Sequence, residues 1–253
     1  MLLKFAGSEV QEYLVKGRRF IRMTSLRKEI ADLRAQGRLL YSGNMHLREI
    51  ALTFDDGPDP NYTPQILDVL QRYGIKATFF CIGRQIEAYA QIVRQEHEAG
   101  HVIGNHSWTH SDLGLLPASD IPSELNGTFS AIQEVTGIQP TFFRPPFGSL
   151  SIQVLAQTSH LGVTTVMWNA GEEARDYSSP GVKFIIRRIL DLVRSGTIIL
   201  MHDGGGDRSQ TVEALPAIIQ RLQDRGFQFV TIQQMVDGLH QISNFDFFGQ
   251  QEP

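Results

Sequence analysis

From residue 50 onward, the sequence alternates short apolar runs with longer amphipathic segments, and this alternation constrains the fold more than any other feature. The short runs are rich in β-branched and aromatic residues, which is typical of buried strands. The longer segments carry apolar residues at helical spacing, as at Ile185, Ile189 and Val193. Seven strands are predicted, near 50–54, 77–82, 101–105, 141–144, 163–168, 197–201 and 227–231. Six helices are predicted between them, over 64–73, 84–99, 119–136, 150–161, 181–194 and 211–225. This pattern predicts an α/β fold with a parallel sheet, and the count favours a distorted (β/α) barrel over an open sheet.

The N-terminal part of the chain differs from the rest in charge. Residues 1–49 carry ten basic and five acidic side chains, although the whole chain has a net charge of −4. We predict a basic extension over 1–47 that is partly helical, with one charged helix over 24–38. A basic arm of this kind can lie on an anionic envelope or membrane surface, or it can be a solvated helical extension.

Composition excludes several classes of protein. Hydrophobic residues make up 42% and charged residues 20% of the chain, as in ordinary globular proteins. The net charge of −4 argues against a nucleic-acid partner, and the single cysteine, Cys81, cannot form an intrachain disulfide. We expect no integral membrane segment, because no apolar run reaches about 18 residues. We see no signal peptide in the first residues, and a cytoplasmic location stays open. The oligomeric state stays open as well.

Chemically distinctive residues follow the predicted strands, where parallel α/β folds place their active sites. Strand 50–54 is followed by Asp55 and Asp56 and then a Gly-Pro turn. Adjacent side chains leaving a strand point in different directions, so one carboxylate can bind a cation while the other stays free as a base. Two solvated acids in a surface turn are the alternative.

Two histidines follow strand 101–105 at a spacing of four residues, His106 and His110. This spacing is found among metal ligands, and a carboxylate as third ligand would complete a site that leaves positions open for water. Such a histidine pair is often accidental by itself. Together with Asp55 and Asp56 at the same barrel mouth, it favours a metal site.

Two further strand ends carry a cation and an imidazole. Arg144 precedes two prolines, which make a rigid loop that fixes the direction of the guanidinium, and it is a candidate partner for a free carboxylate. His202 follows a buried strand and precedes a glycine run, a position suited to proton exchange. An ordinary surface arginine and a structural histidine are the alternatives.

These segments, in this order, resemble the motifs of the polysaccharide deacetylase family, the carbohydrate esterases (family 4) that share the NodB homology domain. The resemblance covers roughly 48–240, which leaves a tail over 241–253. The matching segments are TFDDGP (53–58), YGIKATFF (73–80), HSWTH (106–110), RPPFG (144–148) and LMH (200–202). The family fold is a distorted (β/α) barrel, in agreement with the strand count.

The resemblance assigns a role to each matching residue. It implies that Asp56, His106 and His110 hold a divalent metal, most often zinc, with cobalt or nickel as further options. It also implies that Asp55 is the general base and that Arg144 orients it. His202 would be the general acid that protonates the departing sugar amine.

The resemblance further implies the groups that contact the substrate. The backbone N–H of Phe147 would stabilise the oxyanion, and Pro145, Phe147, Tyr177 and Leu200 would line the substrate groove.

One motif departs from the family pattern. The fourth motif usually reads Asp-x-x-Asp-Trp and provides an aspartate that partners the catalytic histidine. Aligning Asp176 and Tyr177 with Asp-Trp puts Glu173 in the partner position, whereas counting forward from Trp168 puts Gly171 there. We include Glu173 among the predicted catalytic residues, with a solvated loop as the alternative.

The resemblance implies a metal-dependent hydrolase that removes N-acetyl groups from N-acetylglucosamine (GlcNAc)-containing glycans such as peptidoglycan or chitin oligosaccharides. A related amide, imide or acetyl-ester hydrolase is a second hypothesis, and a glycan-binding protein with decayed catalysis is a third. A glycan substrate implies action in the cell envelope or outside the cell.

Overall fold

The computed structural model describes residues 18–169 and 173–239, and within them a parallel sheet is surrounded by helices. The strands are β1 (Leu39–Leu40), β2 (Glu49–Asp55), β3 (Thr78–Cys81), β4 (Val102–Asn105), β5 (Phe142–Phe143), β6 (Thr164–Val166), β7 (Ile198–His202) and β8 (Gln228–Val230). The helices are α1 (Arg18–Ala35), α2 (Tyr62–Tyr73), α3 (Gly83–Ala88), α4 (Ala90–Glu98), α5 (Ile121–Thr136), α6 (Ile152–Leu161), α7 (Val182–Leu192) and α8 (Ser209–Asp224). Residues 232–239 are also helical.

The α/β fold predicted from the sequence is confirmed, and each of the seven predicted strands has a counterpart in the sheet. Two details differ from the prediction. The helix predicted over 84–99 is two helices, because the backbone leaves helical geometry at Tyr89 (φ −133°, ψ 40°). The two-residue strand β1 was not predicted, since a segment so short carries no periodicity.

The sheet forms a barrel whose hydrogen-bond ladder is incomplete. The strand order is β1-β6-β5-β4-β3-β2-β7, all parallel, and β8 pairs with the first residues of β2. Isolated contacts span the gap between the two ends of this order. Gly43 N–H donates to the Gly196 carbonyl (2.8 Å), and Ile198 N–H donates to Asn169 Oδ1 (3.1 Å). The barrel is therefore distorted, as the family resemblance implied.

Successive side chains along each strand point alternately to the outer core, between sheet and helices, and to the barrel interior. In β2, Ile50, Leu52 and Phe54 are buried in the large cluster that packs the sheet against helices such as α2, α7 and α8. Ala51 belongs instead to the inner cluster, which also contains Met235 from the 232–239 helix. Because side chains alternate with period two, Thr53 and Asp55 point the same way as Ala51. The barrel interior is thus apolar at one end and polar at the other.

The N-terminal helix packs against the barrel. Leu26 and Leu33 of α1 are buried in one cluster with Leu39 of β1 and with Leu150 and Leu155 near α6. The domain limits at residues 48 and 240 stay a prediction, and the tail over 241–253 lies outside the described residues. Within the described part of the chain, no helix combines the length and apolar character needed to cross a bilayer.

Candidate active site

A cavity of about 690 Å³ opens at the carboxyl ends of the strands. It is lined by Asp55, Asp56, Ile82, His106, His110, Pro145, Phe147, Trp168, Glu173, Tyr177, Leu200, His202, Gly205 and Arg208. Every predicted site residue is in this set except Arg144, which is fully buried and contacts Asp55. Trp168 and Arg208 also line the cavity, and the sequence motifs do not predict a role for either.

Asp56, His106 and His110 form the one group of metal-ligating side chains found among the described residues. One ligand atom from each lies within 4.8 Å of the others. Asp56 Oδ1 is 3.5 Å from His106 Nε2 and 3.0 Å from His110 Nε2. This oxygen is buried and has no hydrogen bond of acceptable geometry in the described structure. A buried carboxylate oxygen that faces two imidazole nitrogens fits a divalent cation.

The charge around this group also favours a cation. Burial disfavours the charged form of Asp56, but the neighbouring His106 and His110 prevail and hold its pKa well below the usual range. Burial likewise opposes a charge on His106, yet the carboxylates of Asp55 and Asp56 raise its pKa. Positive charge is therefore stabilised at the point where the three side chains meet.

The backbone fixes the direction of the histidine rings. His106 Nδ1 lies 2.8 Å from the Arg144 carbonyl oxygen, and donation at Nδ1 leaves Nε2 free as a ligand. Ser107 and His110 adopt positive φ values of 65° and 60°, which are rare for non-glycine residues. The chain is thus bent twice so that both imidazoles face Asp56.

Glu124 of α5 holds the bend in place. Its carboxylate accepts the backbone N–H groups of Trp108 and Thr109, both at 2.9 Å, and the Thr109 hydroxyl at 2.8 Å. The sequence does not indicate Glu124, because this acid lies 16 residues after Trp108 on a separate helix and has no regular spacing from the histidine pair.

Asp55 is a buried carboxylate with a buried cationic partner. Arg144 Nη1 donates to Asp55 Oδ1 at 2.7 Å and to Thr53 Oγ1 at 2.7 Å. The remaining guanidinium donors reach the carbonyls of Val166 (3.2 Å) and Met167 (3.3 Å). One oxygen of Asp55 is therefore fixed, and the carboxylate faces the cavity in a single orientation.

His202 lies directly opposite Asp55 in the β2–β7 register. Its Nδ1 is 2.8 Å from Asp176 Oδ1, and its backbone N–H donates to Asp176 Oδ2 at 2.8 Å. The Thr211 hydroxyl also donates to Asp176 at 2.8 Å. Burial would lower the pKa of His202, but the charge and hydrogen bond of Asp176 raise it to about 9.

The structure corrects the partner predicted for His202, which is Asp176 and not Glu173. Glu173 forms a parallel backbone bridge with Leu200, two residues before His202 along β7, whereas the ring and the backbone N–H of His202 both contact Asp176. Its side chain lines the cavity and lies 3.6 Å from Arg175. Arg175 is left-handed (φ 56°), and the turn there brings Asp176 behind His202. Gly171, the other alignment, lies outside the described residues.

Exposed aromatic rings border the cavity. Phe147 is 55% exposed, and its ring lies 4.7 Å from that of His110. Tyr177 is 50% exposed, with its ring 5.6 Å from that of His202. Pro145 and Leu200 also line the cavity, as predicted from the resemblance. Exposed aromatic surface beside polar groups is suited to the apolar faces of sugar rings.

The cavity therefore combines a two-histidine-one-carboxylate group with a buried carboxylate and an aspartate-paired histidine, which are the groups that metal-assisted hydrolysis uses. The sequence model described as polysaccharide deacetylase matches residues 42–166. Together with the relatives below, this match shows that the chain belongs to the polysaccharide deacetylase family.

The relatives cover most of the chain. A peptidoglycan-N-acetylglucosamine deacetylase of Bacillus cereus is 39% identical over 218 residues, which are 85% of this chain and 99% of that protein. A chitooligosaccharide deacetylase of Bradyrhizobium is 36% identical over 200 residues, covering 74% of this chain and 90% of that protein. Among solved structures, the Bc1960 peptidoglycan N-acetylglucosamine deacetylase superposes with a TM-score of 0.78 at 32% identity, covering 81% of this chain and 96% of that one.

Proposed function

We propose that this protein removes N-acetyl groups from GlcNAc-containing glycans with the help of a divalent metal, and that it releases acetate. The observation that carries the proposal is the pairing of Asp55 with Arg144 and of His202 with Asp176 beside the Asp56 group. This arrangement provides a base and an acid next to a cation site, which amide hydrolysis requires.

Asp56, His106 and His110 would hold the metal. Two imidazoles and one carboxylate are a common zinc donor set, and zinc is the ion we propose, with cobalt or nickel as substitutes. When bound, the metal supplies Lewis-acid polarisation of the acetyl carbonyl and makes water easier to deprotonate.

Asp55 is the proposed general base. Its Oδ1 is held by Arg144, which leaves Oδ2 to accept a proton from the attacking water. Asp55 Oδ2 lies 3.7 Å from His106 Nε2, so the proton acceptor adjoins the proposed metal ligands. Arg144 acts through Asp55, because it is buried beneath it and does not line the cavity.

His202 is the proposed general acid. Expulsion of an unprotonated amine is prohibitive, so the leaving nitrogen needs a proton donor. With a pKa raised to about 9 by Asp176, which outweighs the effect of burial, His202 carries that proton at neutral pH. The register pairs Asp55 with His202 on neighbouring strands, which supports their proposed roles as base and acid in one cavity.

The remaining groups bind the substrate. We propose that the backbone N–H of Phe147, whose φ of 59° is held by the loop that follows Arg144, donates to the oxyanion. Pro145, Tyr177 and Leu200 would contact the sugar ring and the acetyl methyl group. Glu173, which lines the same cavity, would contact the polar groups of the sugar.

The names of the relatives support the choice of substrate. Relatives named for peptidoglycan and for chitooligosaccharide both match most of the chain, so we propose a β-linked GlcNAc polymer or oligomer as substrate. A peptidoglycan substrate places the proposed action in the cell envelope or outside the cell. We assign the catalytic domain to residues 48–240.

The test is acetate release from chitin oligosaccharides and from peptidoglycan after chelation, and again after addition of Zn²⁺ or Co²⁺. We expect release only with metal, and none from His106→Ala under either condition. Acetylated xylan serves as an ester control. Release that persists in the chelated protein, or release from the ester alone, would contradict the proposal.

A further inference from the structure

The loop that follows β7 lies directly on the proposed metal ligand Asp56. A Cβ added at Gly204 would lie 2.3 Å from the Asp56 carbonyl oxygen, and one added at Gly205 would lie 2.7 Å from Asp56 Oδ2. Gly205 also has a φ of +74°, and Gly206 has a φ of +141°. Only glycine allows this close approach with this backbone geometry.

One buried arginine secures the loop. Arg208 Nε donates to the Gly204 carbonyl (2.6 Å), Nη2 to the Gly205 carbonyl (3.1 Å) and Nη1 to the Asp207 carbonyl (3.1 Å). Arg208 is 3% exposed, and these three hydrogen bonds all go to backbone carbonyls. It directly precedes α8, where a cation opposes the helix dipole. Its position is therefore explained by the loop carbonyls and not by the helix.

The other end of the loop is tied to β2. Asp203 N–H donates to the Asp55 carbonyl (3.1 Å), and the Thr63 hydroxyl donates to Asp203 Oδ2 (2.6 Å). The loop is thus anchored on both sides of its contact with Asp56. It cannot retreat from that carboxylate without breaking one of these anchors.

Asp56 needs such support because its own backbone is strained. Its φ of 75° is unusual for a residue with a side chain, and strained conformations persist only where the surroundings enforce them. The backbone of Gly204 and Gly205 lies against Asp56, so Asp56 has no free space on that side into which its backbone could relax.

We propose that Arg208 and the glycine loop 204–206 are positioning residues that hold Asp56 in its metal-binding orientation. Arg208 acts through the Gly204 and Gly205 carbonyls and takes no part in proton transfer. The inference rests on the metal site of the proposed function and adds a second layer of residues to it. Outer residues that orient a ligand typically change metal affinity by about 10- to 100-fold.

Gly205→Ala tests the contact, with Gly162→Ala as a matched control. Both glycines have a φ of +74°, but a Cβ at Gly162 meets nothing within 4 Å. The two variants therefore share the backbone strain and differ in the collision with Asp56. In calorimetric titration of the purified apoprotein with Zn²⁺, we expect Gly205→Ala to bind about 10-fold more weakly or worse. Gly162→Ala should bind like the wild type.

Arg208→Met and Arg208→Lys test the hydrogen bonds from Arg208 to the loop carbonyls without adding volume to the loop. Methionine removes all donors, and we expect Zn²⁺ affinity to fall about 10-fold, with acetate release restored at high Zn²⁺. Lysine keeps the charge but has a single ammonium nitrogen that cannot span all three carbonyls as the guanidinium does, so it should recover part of the affinity.

The possible failures are distinguishable. If Gly205→Ala and Arg208→Met bind Zn²⁺ as tightly as the wild type, the positioning role is wrong and the proposed function stands. If the wild type binds no metal, the proposed function fails and the inference fails with it.

Discussion

Burial lowers the pKa of His202, and among the neighbours that raise it Asp176 has the largest effect. Asp176 accepts two donors from His202 and a third from Thr211, and it contains no unpaired buried oxygen in the described structure. Burial would raise the pKa of Asp176, but these interactions lower it. The pair therefore favours imidazolium beside carboxylate across the neutral range.

Asp176→Asn should move the alkaline limb of the pH profile. The acid form of His202 is needed, so activity is lost as pH rises through its pKa, which Asp176, prevailing over burial, raises to about 9. Asparagine keeps the shape but removes the charge, so the limb should shift to lower pH and kcat at pH 8 should fall roughly 10- to 100-fold. Glu173→Gln is the control and should leave the limb in place. A limb that moves in Glu173→Gln instead would reverse our assignment.

Asp176 is the catalytic-site residue that the sequence did not predict. Six residues are predictable because each lies at the end of a strand or in the loop that follows it, and the ends of parallel strands meet. They are Asp55, Asp56, His106, His110, Arg144 and His202. Asp176 lies in an irregular loop whose course depends on a left-handed Arg175 and a bridge to Leu200. The sequence pattern does not reveal such turns, and the motif alignment therefore points to the neighbouring acid Glu173 instead of Asp176.

At the scale of elements, the site depends on how helices and loops fix the strand ends. α5 contributes Glu124 to the loop that carries both histidines, and the segment after β7 contributes the glycines beside Asp56. The strands and most helices were predictable from periodicity. The break at Tyr89, the short strand β1 and these inter-element contacts were not, because they depend on tertiary packing.

Glu124→Gln should weaken metal binding with little effect on the rest of α5. Glutamine keeps one oxygen for the N–H groups of Trp108 and Thr109, but it removes the negative charge and the second acceptor, which the Thr109 hydroxyl uses, so the bend between the histidines loosens. We expect Zn²⁺ affinity to fall about 10-fold by calorimetry. Glu134→Gln, an exposed substitution on the same helix, should bind Zn²⁺ normally. Equal affinity in the two variants would show that Glu124 does not organise the site.

At the scale of the whole molecule, two buried acids lie outside the proposed chemistry. Glu96 of α4 and Asp203 are fully buried, and each has one oxygen without a hydrogen-bond partner in the described structure. Burial, together with the charge of Asp203, raises the pKa of Glu96 well above its usual value. The folded protein therefore holds a proton that the unfolded chain releases.

Glu96→Gln should stabilise the fold at neutral and alkaline pH. The pKa of Glu96 is higher in the folded protein than in the unfolded chain, where it is about 4.3. The free energy of unfolding therefore falls as the pH rises above about 4.3, because the unfolded chain then releases the proton that the folded protein retains. Glutamine removes this loss, so its advantage should grow from pH 5 to pH 8, reaching on the order of 1 kcal/mol in urea unfolding. Glu98→Gln, exposed on the same helix, should show no such trend. A stability difference independent of pH would contradict the protonated state of Glu96.

The most direct test of the account separates metal binding from turnover. Zn²⁺ binding and acetate release from a chitin oligosaccharide should be measured side by side in wild type, Asp55→Asn and His106→Ala. We predict that Asp55→Asn binds Zn²⁺ but loses release by about 100-fold or more, because the base is gone. His106→Ala should lose both. Equal loss of metal in the two variants, or full release from Asp55→Asn, would contradict the account.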